Sequence, residues 1–147
     1  MEPRPADKDK NDVEKAIRAL FEAGKNKDLS ALASFHFPGG FTKFDENPPY
    51  TRQGSEEAFV YEQAAFANIS DYSYGIDDFR VDFLGEAAVA TFYLTYSGMV
   101  VNDYSFEGST LSGTARVTMV LTRTEKGWKI VHEHLSSFPD WVASKKK

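Results

Sequence analysis

The C-terminal half of the chain contains a run of alternating side chains, RVTMVLTRTEKGWKIVHEHLS, at residues 116–136. Apolar residues recur there at about every second position, which is the period of a β-strand with one buried face. The segment Glu125-Lys126-Gly127 interrupts this alternation with residues that favour a turn. The run therefore predicts two long antiparallel strands, at residues 111–124 and 128–136.

The residues before this run continue the two-residue period. Residues 76–84 and 87–99 predict two further strands, separated by a turn at Gly85-Glu86. The second of these is a nearly continuous series of apolar, Thr and Tyr residues, which is typical of a strand covered on both faces. A short strand is also predicted at residues 41–45, before Pro48-Pro49.

The N-terminal part has helical spacing instead. The first helix is predicted to run from a capping Asn11 to Gly24, with an apolar stripe at Val13, Ala16, Ile17, Leu20 and Phe21. A second, short helix is predicted from Asp28 until Pro38-Gly39-Gly40 stops it. Ser55 is the predicted cap of a third helix.

Helices followed by a series of long strands indicate an α+β fold. We predict about three N-terminal helices packed in a strongly curved, mainly antiparallel sheet, which would leave a cone-shaped pocket between them. Residues 1–10 are predicted to be a flexible arm, residues 11–138 one domain and residues 139–147 a C-terminal tail. Because two strands are apolar on both faces, a homodimer through the outer face of the sheet is expected.

The composition of the 147-residue chain excludes several kinds of function. The sequence has no Cys, which excludes disulfides and Cys-ligated metals. Its net charge of −5 gives no electrostatic support for a nucleic-acid partner. No stretch reaches the length of a membrane span and no signal peptide is visible, so we expect a cytoplasmic protein without a membrane partner.

The last predicted strand carries a recognisable pattern. Gly127-Trp128 precedes it, and His132, His134 and Ser136 follow within it. This pattern, with the order of the predicted elements, resembles SnoaL-like domains of the nuclear transport factor 2-like superfamily. In particular, it resembles the association (hub) domain of calcium/calmodulin-dependent kinase II. The resemblance implies the cone fold but not one function, because the superfamily includes isomerases, dehydratases, cyclases, transport factors and hubs.

Two chemistries of that superfamily lack their residues here. Ketosteroid isomerases would require a Tyr at the position of Leu20, an Asp base within residues 35–39 and an acid on strand 111–124, and this sequence has none of them. The hub would require pocket arginines at the positions of Tyr93, Met119 and Leu135. Neither isomerisation by that route nor carboxylate capture by an arginine pair is therefore expected.

The candidate acid–base residues are His36 and Glu133. His36 lies in the segment where the resemblance would place a base, and a neutral imidazole can accept a proton near pH 7. Simple alternation, continued through the turn at residues 124–127, places Arg116 and Glu133 on one face of the sheet. The two would form either a polar group at the pocket floor or a structural ion pair.

Candidate ligand-binding residues are Tyr61, Tyr93, Arg116, His132 and His134. The two histidines point the same way, roughly 7 Å apart along a strand. That spacing would suit a shared metal ion, but the third and fourth ligands would have to come from elsewhere in the chain, where His36 is the only other histidine. We therefore predict no metal and no cofactor. Tyr hydroxyls can supply hydrogen bonds inside an apolar cavity.

These residues favour a homodimeric protein that binds a small apolar or amphipathic molecule, which the sequence does not identify. Two alternatives stay open. One is an isomerase, dehydratase or cyclase that uses His36 or an Arg116–Glu133 pair, and the other is an oligomerising assembly module.

Overall fold

A computed structural model describes residues 5–101 and 108–138 of the chain. Helix α1 spans Pro5–Lys25, a 3₁₀ helix spans Leu29–Phe35, and helix α2 spans Ser55–Asn68. Helix α1 thus begins six residues before the predicted cap at Asn11, so that Pro5 to Lys10 are helical. The second predicted helix is a short 3₁₀ helix, and none of the described helices is long and apolar enough to cross a membrane.

The described residues contain five strands, with the bounds β1 Thr42–Phe44, β2 Ser70–Leu84, β3 Ala87–Val101, β4 Gly108–Thr124 and β5 Gly127–Ser137. They form one mixed sheet in the order β1-β5-β4-β3-β2, in which only the β1–β5 pair is parallel. The sheet is curled but does not close. The predicted α+β fold is therefore confirmed. Between β3 and β4, positions 102–107 lie outside the described residues.

The core lies between the helices and the concave face of the sheet. Helix α1 contributes the predicted stripe, in which Val13, Ile17, Leu20 and Phe21 are at most 5% exposed. The sheet meets it with the inward residues of β3 and β4, which include Phe92, Leu94, Val117, Met119 and Leu121. Burying each large apolar side chain stabilises the fold by about 1.5–3 kcal/mol. This packing fixes which face of the sheet looks inward.

The ends of α1 and α2 are held together at Gly24. A Cβ atom at this position would lie 2.4 Å from the ring of Phe66, so only glycine permits the close approach of the two helices. The ammonium group of Lys27 donates to the carbonyl oxygens of Phe66 and Ile69. Helix α1 continues to Lys25, so Gly24 serves packing rather than the predicted C-cap.

A β-bulge in β5 decides the orientation of the last half of this strand. Leu121 of β4 pairs with Ile130, but the preceding Val120 pairs with His132, so Val131 is an extra residue without a partner on β4. Trp128 and Ile130 point inward before the bulge, and Glu133 points inward after it. Without the bulge, the two histidines of β5 would have faced the core.

The predicted neighbourhood of Arg116 and Glu133 is wrong for this reason. Arg116 pairs with Ser136, whereas Glu133 pairs with Met119. Arg116 is exposed on the outer face, and Glu133 is 1% exposed on the inner face. Simple alternation through the turn placed both residues on one face because it did not allow for the extra residue, Val131.

Candidate functional site

A cavity of about 330 Å³ lies between α1, α2 and the concave face of the sheet. Its walls are mainly apolar and aromatic, with Phe21 from α1, Phe66 from α2, Tyr72 from β2, Leu94 from β3 and Met119 from β4. A concave apolar site of this size is typical of small-molecule pockets, which span about 300–1,000 Å³. The mouth is polar and includes Asp45, Glu46 and Asn47 from the segment after β1.

Four titratable side chains converge at the floor of this cavity. Glu133 comes from β5, Lys43 from its parallel neighbour β1, Glu62 from α2, and His36 from the end of the 3₁₀ helix. Lys43 Nζ lies 3.5 Å from Glu133 Oε2 and 3.7 Å from Glu62 Oε2. His36 Nε2 lies 3.3 Å from Glu133 Oε1 and 3.9 Å from Glu62 Oε2. We call these four residues the floor cluster.

The hydrogen bonds of His36 favour its charged form. Its Nδ1 donates to the carbonyl oxygen of Leu32 at 2.9 Å, which leaves Nε2 to face a Glu133 oxygen. A neutral ring with a proton on Nδ1 would present a lone pair to that carboxylate, whereas the imidazolium donates to it. Burial lowers the pKa of His36, but the hydrogen bond to Glu133 and the charges of Glu133 and Glu62 outweigh burial and raise it.

The two carboxyls of the floor cluster have opposite tendencies. Burial alone would raise the pKa of Glu133, but the adjacent Lys43 and His36 hold it below its ordinary value. Burial and the nearby charge of Glu133 raise the pKa of Glu62 to about 7, although Lys43 and His36 act against this. Glu133 is therefore ionised at neutral pH, whereas Glu62 gains and loses its proton near neutral pH.

Glu62 is also incompletely bonded. It is 6% exposed, and its Oε1 atom has no hydrogen-bond partner among the described residues. A buried polar atom without a partner is costly, by about 1–3 kcal/mol, and such atoms are rare in folded proteins. Glu62 is also one of the residues that line the cavity.

Three of these residues form a set that could hold a metal ion. His36, Glu62 and Glu133 each offer a ligand atom, and these atoms lie within 4.8 Å of one another. The ammonium group of Lys43 lies against both carboxylates and already supplies the positive charge that a metal would bring. The donor set therefore fits a metal poorly.

The SnoaL-like domain family matches residues 13–140. The chain belongs to the SnoaL-like family. No curated protein matches it in sequence.

Solved structures share the SnoaL-like fold of this chain. A proposed dehydratase of the nuclear transport factor 2-like family from Streptomyces avermitilis is 22% identical, with a TM-score of 0.76 over 90% of this chain and 97% of that one. The calcium/calmodulin-dependent kinase II hub of S. rosetta is 21% identical, with a TM-score of 0.70 over 94% and 100% of the two chains. At these identities the likeness establishes the fold alone.

The structure brings some of the predicted residues of this SnoaL-like domain together and separates others. His36 and Glu133 meet in the floor cluster, and Tyr61 lines the cavity while remaining 42% exposed. Tyr93 and Arg116 are paired on the outer face of the sheet. There Arg116 Nε donates to Ser136 Oγ at 3.1 Å, and the Tyr93 ring packs 5.8 Å from that of Phe138.

The predicted His132 and His134 also lie on the outer face, because of the bulge. His132 Nδ1 is 2.8 Å from the hydroxyl of Thr42, and both rings pack beside Phe44, at centroid distances of 5.7 and 5.5 Å. Burial and the neighbouring His134 lower the pKa of His132. Neither histidine lines the cavity of the SnoaL-like domain.

Lys43 and Glu62 were not among the predicted site residues, although the sequence places both on buried faces. Lys43 alternates with Phe41, which is 5% exposed, and therefore points to the same side of β1. Glu62 lies three residues after Phe59 and four before Phe66, on the apolar face of α2. A charged residue on a buried face is rare unless it is paired, which makes it a candidate site residue.

Proposed function

We propose that this SnoaL-like domain binds a small, mainly apolar molecule in the cavity, with a polar group of that molecule directed to the floor cluster. The observation that carries the proposal is the incomplete bonding of Glu62 beside a 330 Å³ apolar cavity. A ligand that filled the cavity would bury its apolar part and supply the missing hydrogen bond.

Native mass spectrometry of the purified protein tests this proposal. Ala64 and Ala65 of α2 are both exposed, but only Ala65 is among the residues that line the cavity. We expect extra mass on the wild-type chain, loss of that mass in Ala65→Trp, which fills the cavity, and its retention in Ala64→Trp. A bare wild-type chain, or equal loading of both variants, would contradict the proposal.

An acid–base enzyme is the second candidate, and the pKa of Glu62 near 7 favours it. A general base is most effective when its pKa lies near the working pH, and this one faces an apolar cavity. In such an enzyme Glu62 would remove a proton from a substrate C–H bond, and Lys43 would stabilise the resulting oxyanion. His36 and Glu133 would act as positioning residues through their contacts with Glu62 and Lys43.

Exchange of substrate protons with D₂O, followed by proton NMR on a panel of cyclic and aryl ketones, tests this second candidate. We expect exchange with the wild type and its loss in Glu62→Gln. The control is Glu57→Gln, because Glu57 is an exposed residue in the first turn of the same helix. Exchange that survives in Glu62→Gln would remove the assignment of Glu62 as the base.

We also propose that the domain forms a homodimer through the outer face of its sheet. That face carries the partly exposed apolar side chains of Val89, Val120 and Val131, which a second copy would cover. The likeness to hub domains is consistent with self-association.

Light scattering at micromolar concentration tests the dimer. Val120→Glu should yield a monomer, and the control Val60→Glu, on the 61% exposed position of α2, should remain a dimer. A larger ring in the wild type would favour the assembly module instead, and a monomer would end the proposal.

A further inference from the structure

The side chains around the cavity carry more negative than positive charge. Among the described residues, four carboxyl groups line it, from Asp45, Glu46, Glu62 and Glu133, against one ammonium group, from Lys43. His36 adds a second cation behind the floor, which still leaves four acidic groups against two basic groups. Both cations are already in contact with Glu133. No cation among the described residues is left over for the Oε1 atom of Glu62.

Aromatic rings line the same cavity. Phe21, Tyr61, Phe66, Tyr72 and Tyr96 come from both helices and from two strands. The faces of aromatic rings attract cations, by about 0.5–1 kcal/mol where exposed and about 2 kcal/mol where water is excluded. Rings combined with carboxylates are a lining that suits an organic ammonium group and disfavours a carboxylate.

We infer that the ligand of this cavity is an amphiphilic amine, whose ammonium group pairs with Glu62 and whose apolar part lies among the aromatic rings. This inference rests on the proposed function of the cavity and names the chemical class of its ligand. An ammonium group would donate to the unpartnered Oε1 of Glu62 and complete its hydrogen bonding. An alcohol could supply one hydrogen bond but no charge, and a carboxylate would add a fifth negative group.

The inference explains why Glu62 is left with an exchangeable proton. The groups facing Glu62 are Lys43 from β1, Glu133 from β5 and His36 from the end of the 3₁₀ helix. In the empty cavity, burial and the charge of Glu133 hold Glu62 partly protonated near pH 7, although Lys43 and His36 act against this. An incoming ammonium group would favour the carboxylate, so the proton leaves Glu62 as the amine binds.

Three probes with one carbon skeleton and different head groups test the inference. They are 4-phenylbutylamine, 4-phenylbutanol and 4-phenylbutanoate, and their affinities are measured by isothermal titration calorimetry at pH 8. We expect the amine to bind about tenfold or more tightly than the alcohol, and the carboxylate to bind most weakly. Equal affinities, or preference for the carboxylate, would overturn the inference while leaving the proposed binding function intact.

A matched pair of variants locates the head group. Glu62→Gln should weaken amine binding about tenfold and leave the alcohol unchanged, whereas Asp82→Asn, which removes an exposed carboxylate of β2 away from the cavity, should change neither. Unchanged amine affinity in Glu62→Gln would overturn the assignment.

A measurement on the wild type alone tests the inference even if the Glu62→Gln variant misfolds. An aliphatic amine stays protonated below about pH 9, as the Lys side chain does. Amine affinity should therefore rise several-fold from pH 6 to pH 8 as Glu62 ionises, while alcohol affinity stays constant. A flat amine profile would contradict the inference. If none of the three probes bound, the inference would fail, and the binding function would be decided by the native mass measurement.

Discussion

The two faces of strand β5 differ in what their polar residues do. On the inner face, Glu133 is 1% exposed and contacts both His36 and Lys43. On the outer face, His134 is exposed and packs beside the ring of Phe44. The two residues are adjacent in sequence, and the bulge at Val131 assigns each to its side. A single extra residue therefore decides that a carboxylate, and not the two imidazoles, faces the cavity. Substitutions on the inner face should accordingly have larger effects than substitutions on the outer face.

Replacing Lys43 should have the largest effect on stability. Lys43→Met would leave the buried carboxylates of Glu62 and Glu133 without their shared counter-charge, which we expect to lower the free energy of unfolding by about 3–5 kcal/mol at pH 8. The loss should shrink at pH 5, where protonation relieves the carboxylates. Urea unfolding measures both values, with Lys126→Met in the exposed turn as control.

A loss of less than about 1 kcal/mol at pH 8 would mean that the floor cluster is open to water. The inner face of β5 would then be no better shielded from water than the outer face.

The pH dependence of stability should come from the inner face. The pKa of Glu62 rises from 4.5 to about 7 on folding, so the folded state binds more protons, and stability falls as the pH rises between these values. The raised pKa of His36 acts in the same direction, since its stabilisation is lost as the pH rises through the folded value. The lowered pKa of Glu133 has the opposite effect, since the stabilisation it provides is lost as the pH falls below 4.5.

We therefore expect the wild type to lose about 2–3 kcal/mol of unfolding free energy between pH 5 and pH 8. Glu62→Gln should lose less than half as much. Urea unfolding at the two pH values measures this, and equal pH dependence in the two proteins would assign the proton to another group.

The hydrogen bond between Thr42 and His132 samples the outer face. Thr42→Val keeps the shape of the side chain but removes the 2.8 Å contact, and we expect a loss of about 1 kcal/mol. Thermal unfolding by circular dichroism is sufficient to detect it. A loss as large as that of Lys43→Met would erase the difference between the faces.

The smallest effect is expected at His134. His134→Gln removes an exposed ring, so the change in unfolding free energy should stay within about 0.5 kcal/mol, and probe binding in the cavity should not change. Weakened binding of 4-phenylbutylamine in this variant would show that the outer face reaches the site. Calorimetry beside Glu62→Gln makes the comparison direct.

The elements of the fold were predictable because each has a local signal. The apolar stripe of α1 and the alternation in β4 follow from periods of 3.6 and 2 residues, and both were confirmed. The bulge has no comparable signal, since Val131 is an ordinary strand residue. Because simple alternation omitted it, Glu133 was placed on the face of Arg116, whereas the two residues lie on opposite faces of the sheet.

The floor cluster was only half predictable for a different reason. His36 and Glu133 attract attention by residue type, but their meeting depends on two chain segments 97 residues apart. Lys43 and Glu62 resemble the many charged residues of an exposed surface until their faces are known to be buried. Sequence spacing describes one strand or helix at a time, whereas this site is formed by four elements.

The parallel pairing of β1 with β5 has a consequence for how the protein is made. Residues 42–44 pair with residues 132–134, so the contact joins the first strand to the last strand of the sheet and has high contact order. During synthesis from the N-terminus, Lys43 and His36 leave the ribosome long before their partner Glu133. In a nascent chain that stops before β5, His36 and Lys43 lack the carboxylate that both contact in the folded protein. Completion of the cavity floor therefore depends on β5, which follows the other strands of this sheet in the sequence.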